Sequence, residues 1–457
     1  MKSEPSIRRL PPELVAHIFI NSLTHPRHPK KNEAPLNISS VCTRWRQIAI
    51  STPAIWSSIS ITFRRGSLPF AYPSILKNWI SRSCNHGFSF TLTWEYQKYA
   101  VGAIDLDPSI VASIDVLVEN CVKWRNISVD AYEDITDLTT RLLAVIPERT
   151  KQLRQIAIVA PEFAIASLFT SPLNNLTHLS VSTDCDFTAF QNNVPMESLV
   201  SLSIQADILD VTEVISRAPR LQQAKFYLKL YSDEEYPTEP ITLPDLHTLD
   251  LDVEGGGFDD VEVVDVRLCR FLAYLRLPAL KTLFVDLGYI GDMVMETVHW
   301  GGIVDLLSRS GATLHNLEIR TNDTASLPQF LEANQSLKHF AITNNLLSED
   351  NQLIDRLIDD PDSITCCHTQ LCPNLESLRI TCHEYSSVED AMTEICSFIN
   401  VSAGEGQIHA RPLVLVVPSV TWESLSLPSG SCLEIVQDDD WVARRQHDIY
   451  EKIGAHW

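Results

Sequence analysis

Apolar and polar residues recur along this chain with two different periods, which change places near Pro53. Before it the spacing is helical. Leu14 and Ile18 are four apart, as are Val15 and Phe19, and Val41, Trp45 and Ile48 recur at i, i+4 and i+7. The stretches LPPELVAHIFINSL and APLNISSVCTRWRQIAISTP are therefore each expected to form a helix with one apolar face. Pro11 and Pro12 suit a first helical turn, where a missing N–H costs little. Thr52-Pro53 ends the second helix, because a residue before proline is pushed out of the α region. A module this small cannot bury both apolar faces by itself. Part of that surface must pack on the rest of the chain or on another protein.

Beyond Pro53 the pattern becomes apolar-x-x-apolar-x-apolar. It begins at Trp56/Ile59/Ile61 and returns at Trp124/Ile127/Val129, Leu153/Ile156/Ile158, Leu176/Leu179/Val181 and Leu199/Leu202/Ile204. It continues at Leu221/Ala224/Phe226, Leu246/Leu249/Leu251, Leu280/Leu283/Val285, Leu314/Leu317/Ile319, Leu337/Phe340/Ile342 and Leu375/Leu378/Ile380. Phe88–Trp94 has strand alternation and joins the series, and Leu413–Val417 is a late member. Successive starts are 23 (153 to 176), 23 (176 to 199), 22 (199 to 221) and 25 (221 to 246) residues apart, followed by 34, 34, 23 and 38. Helical spacing marks the intervals Ile110–Val122, Asp134–Ile146, Ile208–Arg217, Val261–Leu275, Met293–Ser308 and Val388–Ile399. A strand–helix unit of this size buries its inner face only against its neighbours. Stacked units then share one core.

The front stretch, with Leu-Pro before the helix, Ile-Phe inside it and Val-Cys-x-x-Trp-Arg in the next, resembles an F-box of the fungal (basidiomycete) type over about the first 60 residues. The longer spacer His25–Ala34 departs from the usual pattern. The repeats resemble a degenerate leucine-rich-repeat array. The ninth repeat position, often Asn in such arrays, is Asn322 and Asn345 in two repeats and Asp184 and Asp207 in two others. The expected fold is thus α/β: an F-box at 8–60, a strand–helix solenoid with a parallel ladder at 61–437, and a polar cap or tail at 438–457. A globular α/β domain is the competing arrangement.

The resemblance implies a substrate-recognition subunit of a Skp–cullin–F-box ubiquitin ligase. Its F-box would bind the Skp-type adaptor, and through it the cullin. Its solenoid would hold a protein substrate. By motif position the adaptor contact would use Leu10, Pro11, Leu14, Ile18, Val41, Cys42, Trp45 and Ile48, some of which must instead be internal. Phe19 is expected between the helices, since two short helices need a large side chain there. Repeat positions three, five and seven point away from the core. They make Tyr227, Asp250, Phe284, Glu318, Arg320 and Arg379 the substrate-binding candidates, with Lys225, Asp252 and Asp286 on the same face. A repeat scaffold outside any ligase is the alternative.

Composition narrows the partners. The 457 residues are 45% hydrophobic and 21% charged, which is a globular composition. The net charge of −22 argues against duplex nucleic acid, whose binding rests on Lys and Arg, and against an anionic membrane surface. The start MKSEPSIRRLPPEL has no apolar signal core, and no apolar run is long enough to span a bilayer. Eleven irregularly spaced cysteines then read as reduced thiols of a cytoplasmic or nuclear protein.

No enzyme motif is present. Gly255-Gly256-Gly257 lacks the following Lys of a phosphate loop, and there is no Gly-x-Ser-x-Gly elbow. Cys366, Cys367, His368, Cys372, Cys382 and His383 are of zinc-binding type but lack paired Cys-x-x-Cys spacing, so no metal or other cofactor is expected. The basic spacer Arg27–Lys31 reads as a solvated loop. Tyr231–Pro240 and Val253–Asp260 read as acidic or glycine-rich loops between repeats.

Overall fold

The computed structural model describes residues 10–23, 30, 32–64, 72–95, 108–131, 136–160, 162–182, 187–229, 240–254, 261–286, 301–320, 330, 333–344, 374, 377–382, 413–418 and 433–438. The chain divides between Leu199 and Val200 into two compact units.

The first unit begins with three helices: α1 (Pro12–Asn21), α2 (Leu36–Val41) and α3 (Thr43–Ile50). The single helix expected across Val41, Trp45 and Ile48 is broken. Cys42 is extended (φ −159, ψ 170), and its Sγ accepts the Trp45 backbone N–H at 3.4 Å. The thiol caps α3, so Val41 and Ile48 do not share a helix face. A 3₁₀ turn at Pro53–Trp56 leads into β1 (Ser58–Arg64). The order then runs α4 (Tyr72–Ser83), β2 (Phe88–Glu95), α5 (Pro108–Glu119), β3 (Trp124–Asp130), α6 (Thr136–Leu143) and α7 (Ile146–Arg149). It ends with β4 (Gln155–Val159), α8 (Glu162–Ala166), β5 (His178–Val181) and α9 (Phe187–Asn193).

The five strands pair in chain order, all parallel. Their register aligns Ile59, Phe90, Ile127, Ile156 and Leu179 in one row, and Ile61, Leu92, Val129, Ile158 and Val181 in a second. All ten are at most 1% exposed. These are the fourth and sixth positions of the sequence pattern, so the repeat phase follows from what the ladder must bury. Each such side chain contributes about 1.5–3 kcal/mol on burial. Helices α4, α5, α6 and α8 pack in succession alongside.

The second unit contains β6 (Ser201–Asp207), α10 (Ile208–Ser216), β7 (Gln223–Lys229), β8 (Ile241–Thr242), β9 (Thr248–Glu254), α11 (Val261–Tyr274) and β10 (Leu275–Arg276). It continues with β11 (Thr282–Asp286), α12 (Gly301–Ser310), β12 (Asn316–Arg320), β13 (His339–Asn344), β14 (Ser377–Cys382), β15 (Leu413–Pro418) and β16 (Leu433–Asp438). All but β8 and β10 form one parallel ladder in chain order. The short strands β8 and β10 pair with each other. Leu202, Ala224, Leu249, Leu283, Leu317 and Phe340 align as its inner row. Asp207, at the ninth repeat position, caps α10: its carboxylate accepts the Asp210 backbone N–H at 2.8 Å. Asp184, Asn322 and Asn345, the helix expected at Val388–Ile399 and the polar tail after 438 lie outside the described residues. Among the described residues no helix is long and apolar enough to cross a membrane.

Asp130, at the end of β3, is held partly out of water, and burial pushes its carboxyl above the ordinary value. The folded state thus keeps its proton to a higher pH than the unfolded chain. The associated stability is present below the usual carboxylate range and is lost as pH rises through the raised value. Asp130→Asn is expected to be more stable than the parent at about pH 7, with the advantage shrinking toward about pH 4. Urea unfolding at both pH values checks this.

Candidate functional site

The amphipathic spacing of α1 sends its two apolar pairs to opposite sides. Val15 and Phe19 are 1% and 2% exposed, whereas Leu14 and Ile18 are 51% and 45% exposed. The inward face is held by Phe19 against Trp45, an edge-on pair with centroids 4.9 Å apart. Arg44 donates from its guanidinium to the Leu10 carbonyl, and Arg46 donates to the Ser39 carbonyl at 2.9 Å. These bonds tie α3 to the start of α1 and to α2. With the interior filled and the helix ends pinned, Leu14 and Ile18 have nowhere inside to go.

Val41 is 59% exposed and Ile50 is 41% exposed. Six large hydrophobic residues are strongly exposed among the described residues, and four of them are Leu14, Ile18, Val41 and Ile50. That concentration within α1–α3 marks these helices as the main uncovered apolar surface among the described residues. Pro11 and Cys42 are also exposed, Leu10 and Trp45 are half-buried, and Ile48 is 8% exposed. Ile48 is therefore internal and not an outward contact. Ile50 was not anticipated. Its signal was available as an apolar residue out of phase with the buried Ile48 and Ala49.

The other candidates sit on the second unit's ladder. Register places Lys225, Asp250, Phe284, Glu318, Ala341 and Arg379 in one row across six strands. Tyr227, Asp252, Asp286, Arg320 and Thr343 form the next row on the same face. All six substrate-binding candidates thus share one face, though in two rows. Tyr227, Phe284 and Glu318 are half-buried. Arg320 and Arg379 are placed by backbone register alone.

Lys225 and Asp250 depart from the expectation of open solvent positions. Lys225 Nζ lies 3.2 Å from Asp250 Oδ2, with side chains 7% and 13% exposed. The ammonium also sits 4.5 Å from the centre of the Tyr227 ring. Adjacent strands about 4.8 Å apart bring long side chains of one face together, and the ring and lysine stem exclude water. Asp250 is engaged within the chain.

The cysteine–histidine group at Cys366, Cys367, His368, Cys372 and His383 lies outside the described residues, as do residues 24–29 of the spacer and 231–239 of the acidic loop. Among the described residues no three His, Cys, Asp or Glu side chains gather as a metal site.

Comparison with known proteins places an F-box-like match on residues 7–62. No curated protein matches the chain. Among solved structures, 14 chains match. One comes from the crystal structure of the Rad7 and Elc1 complex in yeast, at 12% identity and a TM-score of 0.39 over 84% of this chain and 93% of that one.

Proposed function

We propose that this chain, whose residues 7–62 match the F-box-like family, is the substrate-recognition subunit of a Skp–cullin–F-box ubiquitin ligase. In this reading residues 8–60 are the F-box, 61–437 the substrate-holding repeat array and 438–457 a polar cap. The observation that carries it is the outward apolar surface of Leu14, Ile18, Val41 and Ile50 within the matched segment. Leaving Leu and Ile half in water is unfavourable by kilocalories unless another protein covers them. A Skp-type adaptor is the partner of that chemistry, with Leu10, Pro11, Cys42 and Trp45 at its margin. The cullin joins through the adaptor.

The chain itself performs no bond chemistry. It raises the effective concentration of substrate lysines near a ubiquitin-charged enzyme held elsewhere in the assembly, and so promotes ubiquitin-dependent degradation. The substrate is a protein held on the ladder face bearing Tyr227, Phe284, Glu318, Arg320 and Arg379. Affinity purification of the full chain followed by mass spectrometry tests this. The adaptor and a cullin are expected in stoichiometric amounts, and their absence would leave a scaffold outside any ligase. Tyr227→Ser with Phe284→Ser is expected to lose the substrate and keep the adaptor, because a few central aromatics dominate an interface. Undiminished substrate in that variant removes the ladder face from the account.

A further inference from the structure

One residue per repeat sits just before each strand of the second unit; it is Val200 and Gln222 in the first two repeats, then a basic residue type in four running, His247, Lys281, His315 and Lys338, with Glu376 next in sequence. The His247 backbone N–H donates to the Gln222 carbonyl at 2.9 Å, and each of the other three donates to the one before. Lys281 reaches the His247 carbonyl at 3.0 Å, His315 that of Lys281 at 2.8 Å and Lys338 that of His315 at 2.8 Å. The four therefore stand side by side, about 4.8 Å apart, along one edge of the ladder. Lys281 and Lys338 are exposed, and His247 and His315 are half-buried. Burial and the Lys281 charge both lower the His247 pKa, which places these two side chains in each other's field.

The residues that follow are Thr248, Thr282, Asn316 and His339, none of them acidic. In the turns entering these strands, Asp245 is the one carboxylate among the described residues. Two and four residues further along the strands, the carboxylates Asp250, Asp252, Asp286 and Glu318 share their rows with Lys225, Arg320 and Arg379, and Asp250 is paired with Lys225. Lys281 and Lys338 supply the full positive charges of this edge, in a chain with 58 acidic and 36 basic residues. The same repeat position in the first unit holds Arg125 and Arg154, both exposed, with the Arg154 N–H on the Arg125 carbonyl at 2.8 Å.

We propose that the edge formed by His247, Lys281, His315 and Lys338 docks an Asp/Glu-rich segment of the protein substrate, lying across the strands. This rests on the reading of the second unit as the substrate-holding part, and it names the substrate's chemistry. Lys281 and Lys338 are two strands, about 10 Å, apart, so they cannot converge on one phosphate group. The row also lacks the arginine fork that grips phosphate. Single carboxylates spread along an extended peptide match the spacing better. The net charge of −22 disfavours a nucleic-acid backbone, whose charge is far denser.

The test uses the purified full chain and fluorescence anisotropy of a labelled peptide of about twelve residues, roughly 40 Å extended, rich in Glu and Asp. Three further probes run in parallel: its Gln/Asn analogue, a phosphoserine peptide and a short single-stranded RNA. The acidic peptide is expected to bind, and to bind more tightly than each of the other three. Lys281→Glu with Lys338→Glu is expected to weaken it at least about tenfold and to flatten its salt dependence. Thermal unfolding should not move, since both side chains are exposed. Equal affinity of the charge-reversed variant overturns the proposal, as does equal binding of the Gln/Asn analogue or tighter binding of the phosphopeptide or RNA. Adaptor capture, measured on the same preparations, reports separately on the ligase reading.

Discussion

Leu14→Asp combined with Ile18→Asp is expected to abolish capture of the Skp-type adaptor while the chain stays folded. Both side chains lie on the outward face of α1, at 51% and 45% exposure, so the free protein loses little packing when they change. The cost to the free helix is its propensity alone, about half a kcal/mol per position. In the proposed complex the same two positions would become interior. Each loses about 1.5–3 kcal/mol of apolar burial and gains a carboxylate that must be stripped of water without a partner. Together this exceeds about 4 kcal/mol, close to a thousandfold in affinity. Circular dichroism and thermal unfolding establish that the variant is folded, and co-purification reads the adaptor. Val15→Asp is the contrasting change. At 1% exposure it should unfold the helices, so loss of capture there would come with loss of structure.

Trp56→Ala carries the largest expected effect on stability. Trp56 is fully buried where the three helices meet the first strand. Its indole N–H donates to the Ala49 carbonyl at 2.8 Å, fastening the end of α3. Its ring meets Trp79 of α4 edge-on at 4.9 Å, and the Arg82 guanidinium lies 4.3 Å from its centre. Trp79 in turn donates to the Ser58 carbonyl at 3.1 Å at the start of β1. Truncation leaves a cavity of indole size and removes the indole's hydrogen bond to the Ala49 carbonyl, at a cost of about 3–5 kcal/mol. Urea unfolding of the full chain should show that loss in the transition that melts the first unit. Trp56→Phe keeps most of the packing and loses the N–H, so it should cost markedly less. A Trp56→Ala loss below about 1 kcal/mol would mean that the helices are not anchored through this residue.

Much of the fold was legible because the ladder imposes a simple requirement. A residue at the fourth or sixth repeat position has neighbours on both sides at the same depth, and only apolar groups satisfy that. Hence Ile127, Leu249 and Leu317, far apart in sequence, announce the same environment. The break at Cys42 was not legible, because a thiol accepting a backbone N–H leaves no mark on hydrophobic spacing. Helix α4 passed unnoticed, although Leu76, Trp79, Ile80 and Ser83, all buried, fall at helical spacing. The serine among them disguised the stripe.

The candidate surface on α1 could be read only in part. Two apolar pairs four residues apart look identical in sequence, and only the packing of Phe19 on Trp45 decides which pair faces inward. Lys225 was misjudged as a solvent position for a related reason. Its burial comes from Asp250 and Tyr227, and the meeting of Lys225 with Asp250 across strands is set by register, which periodicity within one strand does not report.

The proposed function stands or falls with an adaptor covering the apolar face of α1–α3. Calorimetric titration of the purified full chain with a Skp-type adaptor, at several temperatures, reads that burial. A one-to-one complex with a clearly negative heat-capacity change is expected, the mark of apolar surface leaving water. No binding, or binding without that heat-capacity change, would contradict it.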